Sequence, residues 1–512
     1  MVGTLRGRLA TLVTISLLFG LAAGVRLYPW APPTFIAERQ YRSALLARSF
    51  YFDAELGIPD WRREVVRAAV ARKDAMEPPL FEFVVSRIYL MINGERLWIS
   101  RLLSATFWLI GGVFFLRLSK RFASTLVALV LTAYYLLVPL GVHVSASFLP
   151  DPLMIMLFIV SLLAIVRYYE ERSGARLLLA ALLAGIAILV KPLCLFAILG
   201  AFLGLAVYEW QTKGGPIIGH VVAFLTISLL VGTTYYLNGM VLDDYMTAQA
   251  NKTFAPPGVV VRHVEYWVGW LLNAGWAVGY LPLAAGLLGL VVQRERRMRA
   301  MLLGLWGGYL VFLLVFAFHV HITPHYHLQL VPIVALSAAP LVFAVTDRLR
   351  PALASWPGGA IVTLAGLLAI AFGVYEVRES FVSAPPFERT EVAEEIGEIV
   401  EHSTRVAFVS FYYGSPLEYF GEMAGEEWPR PLRYWAFREK GEGERDIAQR
   451  VHELGISPRY FVVTDFAEFE KHHRDLRDFL ASACTLVAKT ERYLVYETEN
   501  CVRKLLSGPR GA

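Results

Sequence analysis

The chain has 512 residues, of which 56% are hydrophobic and 18% charged, and its mean hydropathy is +0.51. That leaves too little polar surface to coat a soluble assembly of several domains, and the bilayer becomes the expected solvent. The net charge of +5 is no nucleic-acid footprint: residues 1–376 hold 30 Lys+Arg against 19 Asp+Glu, residues 377–512 hold 18 against 24, and the basic excess sits in short clusters between apolar runs.

In chain order, apolar runs of spanning length, or somewhat shorter, fall near 9–28, 97–116, 123–142, 152–166, 177–190, 193–209, 216–237, 268–292, 300–318, 328–346 and 358–376. This predicts an α-helical polytopic membrane protein with about eleven transmembrane helices, followed by a small soluble domain. The basic clusters Arg6/Arg8, Arg117/Lys120/Arg121, Arg167/Arg172/Arg176, Lys213, Arg294/Arg296/Arg297/Arg299 and Arg348/Arg350 occupy every second connection. Positive-inside counting then places them in the cytoplasm and the acidic tail outside a cell (inner or plasma) membrane. Ala22, Ala23 and Gly24 would suit a signal peptide, but the run continues to the interfacial aromatics Tyr28 and Trp30, which favours a retained first helix.

The expected domains are a membrane body over 1–376, with its first outer loop at 29–96, and an extracytoplasmic α/β domain over 377–512. Within the loop, 37–49 and 60–72 read as amphipathic helices. In the tail, helix-like runs at 388–402, 444–455 and 466–481 alternate with the β-rich runs RVAFVSFYY, RYFVVTD, TLVAKT and RYLVYET, which suggests a small α/β sandwich. Cys484 and Cys501 flank the last two runs. They are expected to face each other across the open end of a hairpin as a disulfide, with Cys194 a free thiol.

Chemistry is expected where polar residues meet the outer membrane surface. Glu38 and Arg42 are spaced for an ordinary helical ion pair, Asp53 follows an aromatic run, and Glu77 precedes Pro78 and Pro79. Asp151, in SFLPDPL, reads either as a helix N-cap or as a carboxylate at the mouth of an outer cavity. Lys191, in ILVKPLC, either snorkels or presents a cation to phosphate. His321, His325 and His327 have a loose metal-like spacing, although hydrogen bonding to a phosphate is the simpler use. Without a Walker loop, dinucleotide fingerprint or GxSxG elbow, a nucleotide-driven pump is not expected. A non-enzymatic flippase of lipid-linked sugars is the rival class; it should show paired halves with helices broken near the midplane.

The segments ERQYRSALLAR at 38–48, EPPLFEFVVSRIYLMINGERLWISRLLSATFWLIGG at 77–112, SFLPDPLMIML at 147–157, LLAGIAILVKP at 182–192 and HYHLQLVPIVAL at 325–336 occur in an order that resembles the membrane-embedded C-type glycosyltransferases. The resemblance is to the protein O-mannosyltransferase and lipid A aminoarabinose transferase relatives. It implies an inverting glycosyltransferase that moves a sugar from a polyprenyl-phosphate donor to a glycan, lipid or protein acceptor at the outer face. It also implies a first-loop carboxylate as base, here Glu38 with Asp53 competing, and Asp151 as the acidic residue of the second outer loop. Arg39, Arg42, Lys191, His325, Tyr326 and His327 become the candidate contacts to donor phosphate or substrate. Glu77 stands where the family has a lysine. A divalent metal is compatible with the superfamily, and no metal ligand is inferred.

Overall fold

The structure is a computed structural model that describes residues 2–27, 36–72, 77–214, 217–242, 261–353, 390–429 and 446–507. The apolar run 358–376, the aromatics Tyr28 and Trp30 and the 376/377 boundary lie outside the described residues. Two compact units emerge. One comprises residues 1–30, 75–81 and 98–382, and the other comprises 31–74, 82–97 and 383–512. The outer-loop helices therefore group with the tail in the second unit.

The membrane unit contains α1 (Val2–Leu27), α5 (Leu97–Ser119), α6 (Thr125–Leu137), α7 (Pro139–Ser145), α8 (Asp151–Glu170), α9 (Gly174–Val190), α10 (Leu195–Lys213) and α11 (Ile218–Leu242). It continues with α12 (Val264–Val278), α13 (Tyr280–Val292), α14 (Arg296–Val315), α15 (Leu330–Ser337) and α16 (Ala339–Leu353). Among the described residues five helices are long and apolar enough to cross a membrane. Three further pairs do so together across a bend: α6/α7 at 57°, α12/α13 at 96° and α15/α16 at 48°. Each apolar run of the sequence except 358–376 falls on one of these helices, and the chain is a multi-pass membrane protein.

The bend between α6 and α7 has a local cause. Pro139 carries no N–H, so the carbonyl four residues earlier loses its helical partner, and a bare carbonyl is costly in lipid. Trp108 Nε1 donates to that carbonyl, on Tyr135, at 3.3 Å. Arg26 covers the next one, donating from Nη2 to the Leu136 carbonyl at 2.6 Å, while its Nε donates to Ser145 Oγ at 2.6 Å and its Nη1 to the Ala22 carbonyl at 2.9 Å. The buried cation at the end of α1 thus fastens that helix to both arms of the bend. Arg26→Leu is expected to cost about 1–3 kcal/mol by leaving buried acceptors unpaired, and Arg26→Lys less. The thermal midpoint of the detergent-solubilised protein checks this; a midpoint equal to the parent's would show that the bend needs no such cap.

Helices α10 and α14 meet along a seam where backbone packs on glycine. A Cβ on Gly304 would lie 2.0 Å from the Gly200 carbonyl oxygen, one on Gly204 2.2 Å from that of Ala300, and one on Gly308 2.0 Å from that of Phe196. Small residues four apart on each helix let the backbones touch, which in lipid is a main source of helix affinity.

The second unit holds α2 (Ala37–Ala54), α3 (Asp60–Ala71) and α4 (Leu80–Met91, shared with the membrane unit at its first residues), together with the tail. The tail runs α17 (Thr390–Ile399), β1 (Val406–Val409), α18 (Ser415–Phe420), β2 (Gly425–Glu427), α19 (Ile447–Glu453), β3 (Tyr460–Val463), α20 (Phe466–His472), α21 (Arg474–Ala483), β4 (Thr485–Lys489), β5 (Leu494–Glu497) and α22 (Glu499–Ser507). The sheet order is β2-β1-β3-β5-β4, with β2, β1 and β3 parallel and the β5 and β4 pairings antiparallel. Strands β1 and β3 are buried on both faces and so read as continuous apolar runs. Val406, Phe408, Tyr460 and Val462 pack on one side with α17 and α18 residues, and Ala407, Val409, Phe461 and Val463 on the other with α19, α20, α21 and α22 residues. The sheet therefore carries helices on both faces.

Cys484 and Cys501 are joined, with Cα atoms 5.4 Å apart. The geometry differs from a clamp across a hairpin mouth. Cys484 directly precedes β4, whereas Cys501 sits in the first turn of α22 and packs into the core on that side of the sheet. The bond closes 17 residues of separation, worth about 3 kcal/mol in the chain-entropy view.

Candidate active site

Asp151 is the first residue of α8, and it does not cap the helix: the N-cap is Pro150, with no side-chain cap bond. Its carboxylate is instead fully buried and receives Lys191 Nζ at 3.0 Å on Oδ1 and 2.9 Å on Oδ2. Lys191 reaches that position because Pro192 follows it. A residue before proline is pushed out of the helical region, so α9 stops at Val190 and Lys191 adopts φ −163°, ψ 123°. The side chain turns inward and is 2% exposed, which overrules the snorkelling alternative. Both charges also lie at favourable helix ends, an anion at the start of α8 and a cation just past the end of α9.

Two more groups approach the same ammonium. Glu77 Oε1 lies 3.8 Å from Lys191 Nζ, and the Tyr326 ring centroid lies 5.6 Å from it. Glu77 thus joins this cluster in place of the cation the resemblance implies at its position. Its contact is the longer one, and its side chain is 16% exposed against 0% for Asp151.

The histidines divide. His325 is buried beside Tyr326 in a short 3-10 turn, Pro324–His327. His327 is fully buried, with Nε2 2.8 Å from the Val320 carbonyl and Nδ1 2.7 Å from Tyr309 Oη. A carbonyl can only accept, so Nε2 carries the proton and Nδ1 accepts from Tyr309, whose oxygen in turn receives Trp270 Nε1 at 3.0 Å. This corrects the expectation for His327: with both ring nitrogens occupied, it offers nothing to a phosphate and serves to hold the turn. His321 Nδ1 bonds the Ala317 carbonyl at 3.0 Å. No group of three or more metal-ligating side chains occurs among the described residues.

In the other unit, Glu38 stands in the first turn of α2, half-buried, with Arg39 and Arg42 on the same helix. Asp53 is fifteen residues further along that helix, about 22 Å away at 1.5 Å per residue. It is exposed and paired to Arg67, at 2.7 Å from Nη2 and 3.0 Å from Nε. The two first-loop candidates therefore cannot serve one reacting centre together, and Asp53 is engaged in a solvated ion pair.

Sequence reasoning did not single out Arg48 as a pin of this unit. Its Nε lies 2.9 Å from Glu95, its Nη1 donates to the Tyr419 carbonyl, its guanidinium stacks 3.8 Å from the Tyr419 ring centroid, and Tyr419 Oη donates to Glu95. Burial raises the Tyr419 phenol well above its ordinary value, and the Glu95 carboxylate reinforces this. Burial alone would lower the Arg48 guanidinium, but Glu95 and Tyr419 outweigh it and raise it. Arg62 pairs with Glu422, and Trp61 stacks on His402 at 4.5 Å. These contacts fasten α2 and α3 to α18 and its flanks.

Residues 76–234 match the family described as dolichyl-phosphate-mannose-protein mannosyltransferase. Among solved structures, apo ArnT from Cupriavidus metallidurans aligns over 98% of this chain and 99% of its own, with a TM-score of 0.58 and 15% identity. ArnT from the same organism bound to undecaprenyl phosphate gives a TM-score of 0.56 at 15% identity, over 96% and 98%. The Archaeoglobus fulgidus oligosaccharyltransferase in complex with zinc and sulfate gives 0.57 at 12% identity, over 94% of this chain and 73% of its own. No curated protein matches by sequence. Glu77, Asp151 and Lys191 all lie inside the family-matched segment. Over residues 76–234 the chain thus matches the dolichyl-phosphate-mannose-protein mannosyltransferase family, and its fold is similar to those of ArnT and the archaeal oligosaccharyltransferase.

Proposed function

We propose that the chain transfers a sugar from a polyprenyl-phosphate-linked donor to an acceptor at the outer face of the membrane, with inversion at the anomeric carbon. The observation that carries this reading is the buried Asp151–Lys191 pair with Glu77 at its more exposed side, within the segment that matches a polyprenyl-phosphate-sugar-dependent family. A cation held in place before the substrate arrives is what a departing phosphate needs, since it stabilises developing charge without reorganising.

In the proposed reaction a first-loop carboxylate, Glu38, takes the proton from the acceptor hydroxyl or amine. The freed lone pair attacks the anomeric carbon from the face opposite the phosphate, the bond from that carbon to the phosphate oxygen breaks, and polyprenyl phosphate leaves with the electron pair. Lys191 stabilises the leaving phosphate, exchanging its longer contact with Glu77 for it. Asp151 keeps Lys191 charged and aimed. Arg39, Arg42, His325 and Tyr326 are assigned to substrate binding on the resemblance. The basic clusters argue for the tail and α2–α4 lying outside the cell membrane.

The test is direct. Purified protein in lipid nanodiscs is given a panel of synthetic polyprenyl-phosphate sugars together with envelope glycolipids as acceptors, and products are read by mass spectrometry with the new anomeric configuration assigned by NMR. Expected are release of polyprenyl phosphate and a product of inverted configuration. Retained configuration would refute the single displacement, and failure to consume any donor of the panel would count against the donor class.

A further inference from the structure

Helix α8 runs 20 residues from Asp151 to Glu170, about 30 Å, so its far end lies across the membrane unit from the Asp151–Lys191 pair. There a cavity of about 270 Å³ opens between Arg172, Glu209, Trp210, Lys213 and His220. Glu209 is 5% exposed and holds two cations, Arg172 Nη2 at 3.3 Å and Lys213 Nζ at 3.2 Å. One carboxylate against two cations leaves an excess positive charge. The carboxylate is buried while the Arg172 and Lys213 side chains are 33% and 68% exposed, so that excess faces outward.

The guanidinium is fixed in advance. It stacks on Tyr168 and Tyr169, at 5.2 and 4.8 Å from their centroids, and donates to Tyr168 Oη at 3.3 Å. Immediately along the helices from this charged mouth the surface is apolar: Leu203, Val207 and Trp210 on α10, and Ile218 and Val222 on α11, are all exposed. A cationic pocket continuing into an exposed apolar strip along membrane-spanning helices matches an amphiphile with an anionic head and hydrocarbon tails.

We propose that this pocket binds the phosphate headgroup of an anionic membrane lipid. Arg172 and Lys213 hold the phosphate oxygens, His220 lines the wall, and the acyl chains lie along the strip beside Trp210. Glu209 keeps both cations in place and limits the site to a headgroup of low charge. The proposal is independent of the sugar-transfer reading, since none of these residues belongs to the Asp151–Lys191 cluster.

The test uses the full-length protein in nanodiscs of phosphatidylcholine doped with phosphatidylglycerol, with retained lipid read by native mass spectrometry after gentle release. Preferential retention of phosphatidylglycerol is expected, falling about fivefold for each cation removed in Arg172→Gln and Lys213→Gln. Lys213 is the exposed partner, so its variant keeps the test valid if Arg172→Gln does not fold. Equal retention of both lipids, or unchanged retention in the Lys213 variant, would overturn the proposal. Displacement of the lipid by millimolar inorganic phosphate would reassign the pocket to free phosphate and overturn the lipid occupant.

Discussion

Asp151→Asn is expected to lower folded yield sharply and abolish transfer, because it strands a buried ammonium. Removing one member of a buried pair costs about 3–5 kcal/mol, whereas replacing both with neutral groups of similar size is often tolerated. Glu77 remains as a partner, but at 3.8 Å against the 2.9 and 3.0 Å contacts of Asp151 it recovers only part of the loss. Lys191→Met alone should fail for the opposite reason, leaving Asp151 fully buried and unpaired. The double variant Asp151→Asn/Lys191→Met is expected to regain stability yet remain inactive, since the cation assigned to the phosphate is gone. Thermal unfolding in detergent and a transfer assay on the four proteins check both halves. Single variants as stable as the parent would show that the pair contributes nothing to folding, and an active double variant would remove Lys191 from the chemistry.

Glu38→Gln is expected to reduce turnover by about 10²–10⁴-fold, the usual contribution of a general base, with little change in folded yield. Asp53→Asn is expected to stay within about twofold, because an exposed ion pair such as Asp53–Arg67 contributes little. Steady-state rates with a saturating donor separate the two. A strong loss in Asp53→Asn beside near-normal Glu38→Gln would move the base to Asp53 and leave Glu38 as a helix-terminus anion in α2.

The features that were legible in the sequence are those that local pattern encodes. The apolar runs within the described residues became helices, the amphipathic stretches at 37–49 and 60–72 became α2 and α3, and RVAFVSFYY and RYFVVTD became the central strands because a two-sided buried strand is apolar throughout. Strand β2, Gly425–Glu427, gave no such signal, since a glycine and two glutamates have low strand propensity. It forms because β1 offers a parallel edge. The Asp151–Lys191 bond spans 40 residues. From sequence alone Asp151 before proline looked equally like a cap, and only the packing of α8 on α9 decides. The role of Arg26 was hidden because it depends on the Leu136 carbonyl left bare at the bend, 110 residues away. The glycines of α10 and α14 were readable in principle, as paired small residues four apart, and were missed because each run also qualifies as an ordinary span.

That glycine seam has a mechanical consequence. Hydrocarbon surrounds the helices whether they touch or not, so their attraction comes from contacts effective only at van der Waals range. With the backbones of α10 and α14 already in contact at their glycines, a small lateral separation forfeits much of that attraction. The glycine contact is therefore short-ranged, and its attraction is strongest when the seam is closed. The 96° break between α12 and α13 sets a different requirement, since the Gly279 backbone there stands at φ 80°, which a side chain would strain.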